Sequence, residues 1–258
     1  MGDGCVVKMK LKNQVAMILG IKSELAKVIA LSFANEGAKV IICDSDYTYS
    51  KEISNQIEHI GVESIALRCN PTRKRDIKRV IKKSIKRFEK VDILVNCFDL
   101  FLQKPIFETK EREWNKIIRS NLNSCFLSVR EISTHMIENK KGKIIFISSV
   151  FGKVGFNEAS AYSASNGGID NLTRELALEL SPSNINVNCI SPGIISTKAG
   201  NMFDLENKKI KRKLLSDIPI GRFGTPEEVA DAVIFLSSND SDFITGHNLV
   251  VDGGWLAH

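Results

Sequence analysis

Hydroxyl, carboxylate and thiol side chains are the groups in this chain that could do chemistry, and their spacing limits what that chemistry is. Ser149 and Tyr162 stand thirteen residues apart, and Asn166 follows Tyr162 by about one helical turn. Two hydroxyls and an amide can bond a bound oxygen, and a phenol can exchange a proton, but none of the three carries charge at neutral pH. Asp44 ends the run Ile41-Ile42-Cys43-Asp44. An acid at the end of a buried strand can bond ribose hydroxyls, and it is equally an ordinary turn residue. Glu24 suits the first turn of a helix, where a carboxylate meets the positive end of the dipole. The six cysteines, Cys5, Cys43, Cys69, Cys97, Cys125 and Cys189, form no Cys-x-x-Cys pair. Neither a zinc site nor a redox couple is indicated, and no metal is expected. Several lie in apolar runs, where a free thiol packs as a small hydrophobe in a reducing compartment.

The elements that must position these groups follow from periodicity. Short β-branched runs at 14–19, 39–43, 63–68, 91–96, 142–148, 185–190 and 248–251 are apolar on both faces, as buried parallel strands are. Helical patterns fill 23–36, 48–59, 72–89, 111–139, 158–180 and 225–237. Alternation of this kind predicts one α/β domain over 1–258: a doubly wound, Rossmann-type parallel sheet of seven strands with helices on both faces. Residues 1–12 are expected to be an N-terminal extension, and 194–224, long and weakly periodic, a lid. Thr225-Pro226-Glu227-Glu228 is a capping box that sets the start of the last long helix.

The net charge is +6, and ten of the Lys and Arg residues crowd into 72–90. Ile77, Val80, Ile81, Ile85 and Phe88 recur there at helical spacing, so the charges read as a solvated helix face. Stacking aromatics or a nucleic-acid motif would be needed for another reading, and none is visible, so no nucleic-acid partner is expected. No apolar run approaches the roughly 18 residues of a membrane span, and the N-terminus has no secretory pattern. A cytoplasmic protein without a membrane partner is expected.

Ligands of doubly wound sheets bind just beyond the carboxyl ends of the strands. There the chain resembles the short-chain dehydrogenase/reductase family. Ser149 with Tyr162-Ser-Ala-Ser-Asn166 is similar to that family's Ser and Tyr-x-x-x-Lys, and Asn121 resembles its fourth catalytic residue. Asp92-Ile-Leu-Val-Asn96, Asn188-Cys-Ile-Ser-Pro192-Gly193 followed by Thr197, and Gly246 with Val251-Asp252-Gly253-Gly254 are further matches, in order, over about 11–256. The resemblance implies that Tyr162 trades a proton with substrate, Ser149 holds the substrate oxygen and Asn121 holds a relay water. Hydride would move between substrate and nicotinamide. It implies NAD held by Gly20, Asp44, Asn70, Asn96, Pro192, Gly193 and Thr197. The overall pattern resembles 3-oxoacyl-carrier-protein reductases most.

Three departures bear on that implication. Asn166 replaces the lysine that binds the nicotinamide ribose and lowers the tyrosine pKa. A unit charge about 4 Å away is worth roughly 4 kcal/mol at an effective dielectric of about 20, or about three pKa units. Without it a tyrosine near pKa 10 is only about 0.1% ionised at pH 7. The family's Thr-Gly-x-x-x-Gly-x-Gly turn reads Leu19-Gly20-Ile21-Lys22-Ser23-Glu24-Leu25-Ala26, so only Gly20 survives. Glu24 puts a negative charge where a diphosphate should rest. Asn-Asn-Ala-Gly becomes Asn96-Cys97-Phe98-Asp99, which should narrow the crevice.

The losses at Glu24, Ala26, Phe98, Asp99 and Asn166 map onto one crevice, while strand cores and caps remain. That asymmetry resembles paired short-chain dehydrogenases in which a degenerate subunit supports an active partner. One such type is the two-subunit 2-[hydroxy(phenyl)methyl]succinyl-CoA dehydrogenase. The expectation is a non-catalytic pseudoenzyme subunit of an NAD-dependent dehydrogenase acting on hydroxyacyl thioesters such as a hydroxyacyl-CoA, in a tetramer with a homologous subunit. Ala161, Ala164, Gly167 and Gly168 would allow close helix contact at the subunit interface. One alternative is a slow NAD-dependent oxidoreductase of 3-hydroxyacyl or 3-oxoacyl thioesters, as a homo-tetramer. In that case the basic stretch 208–213 could meet an anionic carrier or CoA phosphate; it reads equally as a solvated helix face. Another is a binding protein that uses the former cofactor crevice.

Overall fold

Strands that are apolar on both sides can bury themselves only between two layers of helices, and these seven do so. The computed structural model describes residues 9–197 and 207–257. The strands are β1 (Val15–Leu19), β2 (Lys39–Asp44), β3 (Ser64–Arg68), β4 (Ile93–Asn96), β5 (Gly142–Ile147), β6 (Ile185–Pro192) and β7 (Asn248–Val251). They form one parallel sheet in the order β3-β2-β1-β4-β5-β6-β7. The helices are α1 (Glu24–Asn35), α2 (Tyr47–His59), α3 (Lys74–Phe88), α4 (Glu111–Glu138), α5 (Ser160–Leu180), α6 (Lys208–Ser216) and α7 (Pro226–Ser237). The expected fold class is the one found, with element ends displaced by a residue or two.

Two cores lie on opposite faces of the sheet. Ala16, Ile18, Val40 and Ile42 pack with α1, α2 and α7 on one side. Val15, Met17, Leu19, Ile41 and Cys43 pack with α3, α4 and α5 on the other. The alternation of neighbouring strand residues between the two clusters is the period of a strand read twice. The strand order reverses between β1 and β4, so the crevice opens above their carboxyl ends.

Several sequence expectations change. Leu11, within the expected extension, is fully buried in the core beside Phe33 and Ala38. The segment 194–224 is not a plain loop. Ile195 bridges to Gly224, and α6 sits within it; residues 198–206 lie outside the described residues. Gly168 of α5 meets α4 of the same chain, where an added Cβ would fall 2.8 Å from Leu122, while Ala164 is exposed. Cys43, Cys69, Cys97, Cys125 and Cys189 are free and buried, as expected of core thiols, and Cys5 lies outside the described residues. Among the described residues no cluster suited to a metal occurs, and no helix is long and apolar enough to cross a membrane.

The expected cap on α7 is present. The Thr225 hydroxyl accepts from Glu228 N, the Glu228 carboxylate accepts from Thr225 N, and Arg222 grips the same carboxylate at 2.9 and 2.6 Å. The guanidinium holds the Glu228 carboxyl down to about 2. Thr225→Ala removes one cap acceptor and is expected to destabilise the protein by about 1 kcal/mol, measured as a lower urea midpoint at unchanged slope.

Candidate active site

Gly20 leaves β1 with φ at +86°, a conformation that costs other residues about 1–2 kcal/mol. Its N–H donates to Cys43 O at 2.8 Å, which ties the turn to the end of β2. Ser23 then caps α1, its hydroxyl accepting from Ala26 N at 3.1 Å, and Glu24 occupies the first turn. The side of Gly20 where a Cβ would stand is filled by Phe98. Such a Cβ would lie 2.7 Å from Phe98 N and 2.8 Å from its ring carbon Cδ1. Phe98 is 8% exposed and belongs to the core of that face, with Leu19, Cys43 and Cys69. Phe98 is therefore a core residue that packs against Gly20.

Asp44 and Asn70 are committed to their own turns. Asp44 is buried, and its Oδ1 accepts from Asp46 N at 2.9 Å and Ser45 Oγ at 3.1 Å. Asn70 Oδ1 accepts from Thr72 N and Thr72 Oγ1. Asn96 holds α4 to the sheet, donating to Ser124 and accepting from Phe98 N. Asn121 brackets the Leu100 peptide from both sides, at 2.9 Å to its N–H and 3.0 Å to its carbonyl.

The open part of the crevice lies over the other half. A cavity of about 300 Å³ is lined by Lys22–Leu25, Cys97, Asp99, Ser149, Tyr162 and the stretch Pro192–Ile195, with Thr197 at its edge. Gly20, Asp44, Asn70, Asn96, Phe98, Asn121 and Asn166 do not line it. Of the expected cofactor residues, then, the structure brings only Pro192, Gly193 and Thr197 together with Ser149 and Tyr162.

Tyr162 is 1% exposed, with its ring edge-on to Phe101 at 5.0 Å. Its hydroxyl donates to Asp99 Oδ2 at 3.2 Å. Burial, and then the Asp99 charge, push its pKa well above the usual phenol range, while hydrogen bonds from Ser149 and Asn166 oppose the rise. Asp99 is exposed at the cavity, and the protein atoms around its carboxylate desolvate it in part. That desolvation raises its pKa to about 6, against the Tyr162 hydrogen bond, which lowers it. Ser149 Oγ accepts from Phe151 N at 3.2 Å, leaving its own hydrogen to donate. Asn166 is 2% exposed beneath the turn at Gly152, and its amide donates back to Tyr162 O at 3.0 Å.

Sequence reasoning missed the Tyr162–Asp99 bond. It treated Asp99 only as bulk in the crevice. The two are separated by 63 positions, and no local pattern signals the pairing.

Comparison with known proteins places this geometry. The family described as "Enoyl-(Acyl carrier protein) reductase" matches residues 20–256. The 3-oxoacyl-[acyl-carrier-protein] reductase FabG of Thermotoga maritima is 34% identical over 246 residues, 95% of this chain and 99% of that one. The (2S)-[(R)-hydroxy(phenyl)methyl]succinyl-CoA dehydrogenase subunit BbsD of Thauera aromatica is 34% identical over 246 residues, 95% of this chain and 98% of the relative. Among solved structures, NAD⁺-bound xylitol dehydrogenase superposes with a TM-score of 0.89 at 27% identity, covering 95% of this chain and all of that one (100%). The residues present here do not match an adenine dinucleotide. Phe98 packs against Gly20, Asp44 is buried in a turn, Glu24 stands at the start of α1, and among the described residues no cation lowers the Tyr162 pKa.

Proposed function

This chain belongs to the short-chain dehydrogenase/reductase family, and from that premise we propose that it is an oxidoreductase subunit that has given up hydride transfer. It is a degenerate partner, in a mixed tetramer, of a homologous subunit that carries out NAD-dependent chemistry on hydroxyacyl thioesters. The observation that supports this reading is the Phe98 ring packed against Gly20, at the β1–α1 turn that holds the phosphates in dinucleotide-binding folds. The likeness to BbsD, a dehydrogenase subunit by its name, supports a place in such a complex. The cytoplasm is the proposed location.

Calorimetric titration of the purified chain with NAD⁺ and NADH tests the proposal. No binding is expected up to millimolar ligand. Micromolar affinity would overturn it, as would a homo-tetramer that turns over hydroxyacyl thioesters unaided. Co-expression with a neighbouring homologue that retains the Tyr-x-x-x-Lys lysine should give a co-purifying complex.

A second reading, a slow NAD-dependent oxidoreductase, is favoured by the presence of Ser149 and Tyr162 in one cavity. It requires the groove beside Gly20 to open, and the same titration separates the two.

A further inference from the structure

The cavity left beside Phe98 holds an arrangement that needs no dinucleotide. Asp99, Tyr162 and Ser149 line it together, and Ile147, Phe151, Ile194 and Leu25 supply apolar walls. At about 300 Å³ it stands at the small end of ligand sites. Tyr162 Oη and Asp99 Oδ2 are 3.2 Å apart, so a ketone whose oxygen accepts from the tyrosine would bring its α-carbon toward the carboxylate. We propose that this cavity catalyses redox-neutral proton transfer at carbon, the enolisation of a small, apolar-flanked ketone, with Asp99 as base and Tyr162 and Ser149 as donors to the carbonyl oxygen. The proposal rests on the reading that the groove takes no dinucleotide.

The step balances without a co-reactant. The α-carbon C–H bond breaks and its proton goes to Asp99. The C–H electron pair becomes the carbon–carbon double bond, and the carbonyl π pair moves onto oxygen. Tyr162 and Ser149 donate hydrogen bonds to that developing charge, the Tyr162 hydrogen turning from Asp99 to the ligand. Reprotonation by Asp99 at the same carbon returns the ketone.

The electrostatics fit these roles. A carboxylate whose pKa is about 6 is ionised at neutral pH and is a stronger base than an ordinary one. A phenol pushed upward remains a neutral donor throughout the physiological range. Among the described residues, the titratable groups lining the cavity with Asp99 are Tyr162 from α5, Cys97 after β4, and Lys22 and Glu24 at the turn into α1. Burial pushes the Cys97 thiol up, so it stays neutral there.

Proton NMR in D₂O with 2-pentanone as the probe tests this. The folded chain is expected to accelerate loss of the α-hydrogen signals by about a hundredfold over the same concentration of heat-unfolded protein. The rate should rise with pH through a midpoint near 6, as Asp99 loses its proton. Asp99→Asn should return it to background, and Tyr162→Phe should slow it by about tenfold or more. Exchange at background for the folded chain overturns the proposal, and so does an unchanged rate in a folded Asp99→Asn variant. If that variant does not fold, the Tyr162→Phe rate and the wild-type midpoint decide: an unaffected rate, or no inflection near 6, overturns it. NAD(H) binding would instead sink the closed-groove reading, whatever the exchange rate, so the two failures are distinguishable.

Discussion

The triple change Glu24→Gly, Phe98→Ala and Asp99→Gly is expected to raise affinity for NAD(H) by at least about a hundredfold, or about 2.7 kcal/mol. Each change removes a separate obstacle. Phe98→Ala vacates the space beside Gly20, where its ring carbon now stands 2.8 Å from a would-be Cβ. Glu24→Gly removes a carboxylate from the first turn of α1, where backbone N–H groups would otherwise favour an anion. Asp99→Gly removes a second negative group and frees the Tyr162 hydroxyl. The cost falls on stability. Truncating a Phe that is 8% exposed within a core costs about 3–5 kcal/mol, less where water can enter the vacated space. Calorimetry with NADH, paired with thermal denaturation, reads both effects. An unchanged lack of binding in a folded triple variant would show that the block lies elsewhere. Asn166→Lys alone is expected to restore neither binding nor hydride transfer, because Glu24 and Phe98 would still stand in the groove. A large gain from that single change would show the groove to be open.

Gly20→Ala is expected to destabilise the protein by about 3 kcal/mol and to lower its melting temperature by about 8 °C. Two causes add. The backbone φ of +86° disfavours any side chain, and the new methyl would lie within 2.9 Å of Phe98 N, Phe98 Cδ1 and Cys97 C. The backbone cannot yield cheaply. Cys97 N–H is bonded to Leu19 O, and Gly20 N–H to Cys43 O, both at 2.8 Å, so moving either strand end breaks a bond in the sheet's extension. Adding Phe98→Ala should relieve only the ring part of the clash, because Phe98 N and Cys97 C remain. A double-mutant cycle by thermal denaturation measures that coupling. Additive losses would mean that the ring does not rest on Gly20.

Much of this molecule is written locally. Ala16 and Ile18 turn to one core and Val15, Met17 and Leu19 to the other, and that double alternation is visible as an unbroken apolar run. The Thr225 capping box and the Ser23 cap depend on neighbours three residues away, so short-range patterns suffice. Helix α6 was legible only as an alternative, a solvated face at 208–213, for the converse reason. Among its buried positions only Leu214 appears, and one buried residue leaves no periodic stripe to read. The small residues of α5 show in sequence that a close approach is allowed without showing what approaches. At Gly168 it is Leu122 of the same chain.

By itself, then, the sequence determined the doubly wound fold, the family it resembles, and the absence of a lysine at 166 and of glycines at 24 and 26. Composition and local spacing carry all of these. Only the tertiary structure decided what stands in their place. Phe98 enters the core against Gly20, Asn166 turns onto the Tyr162 carbonyl, and Asp99 takes the tyrosine hydroxyl across 63 residues of chain. Such contacts depend on which side chains the sheet's crossover brings to one crevice, and on how burial there shifts their protons. Neither is a property of any segment taken alone.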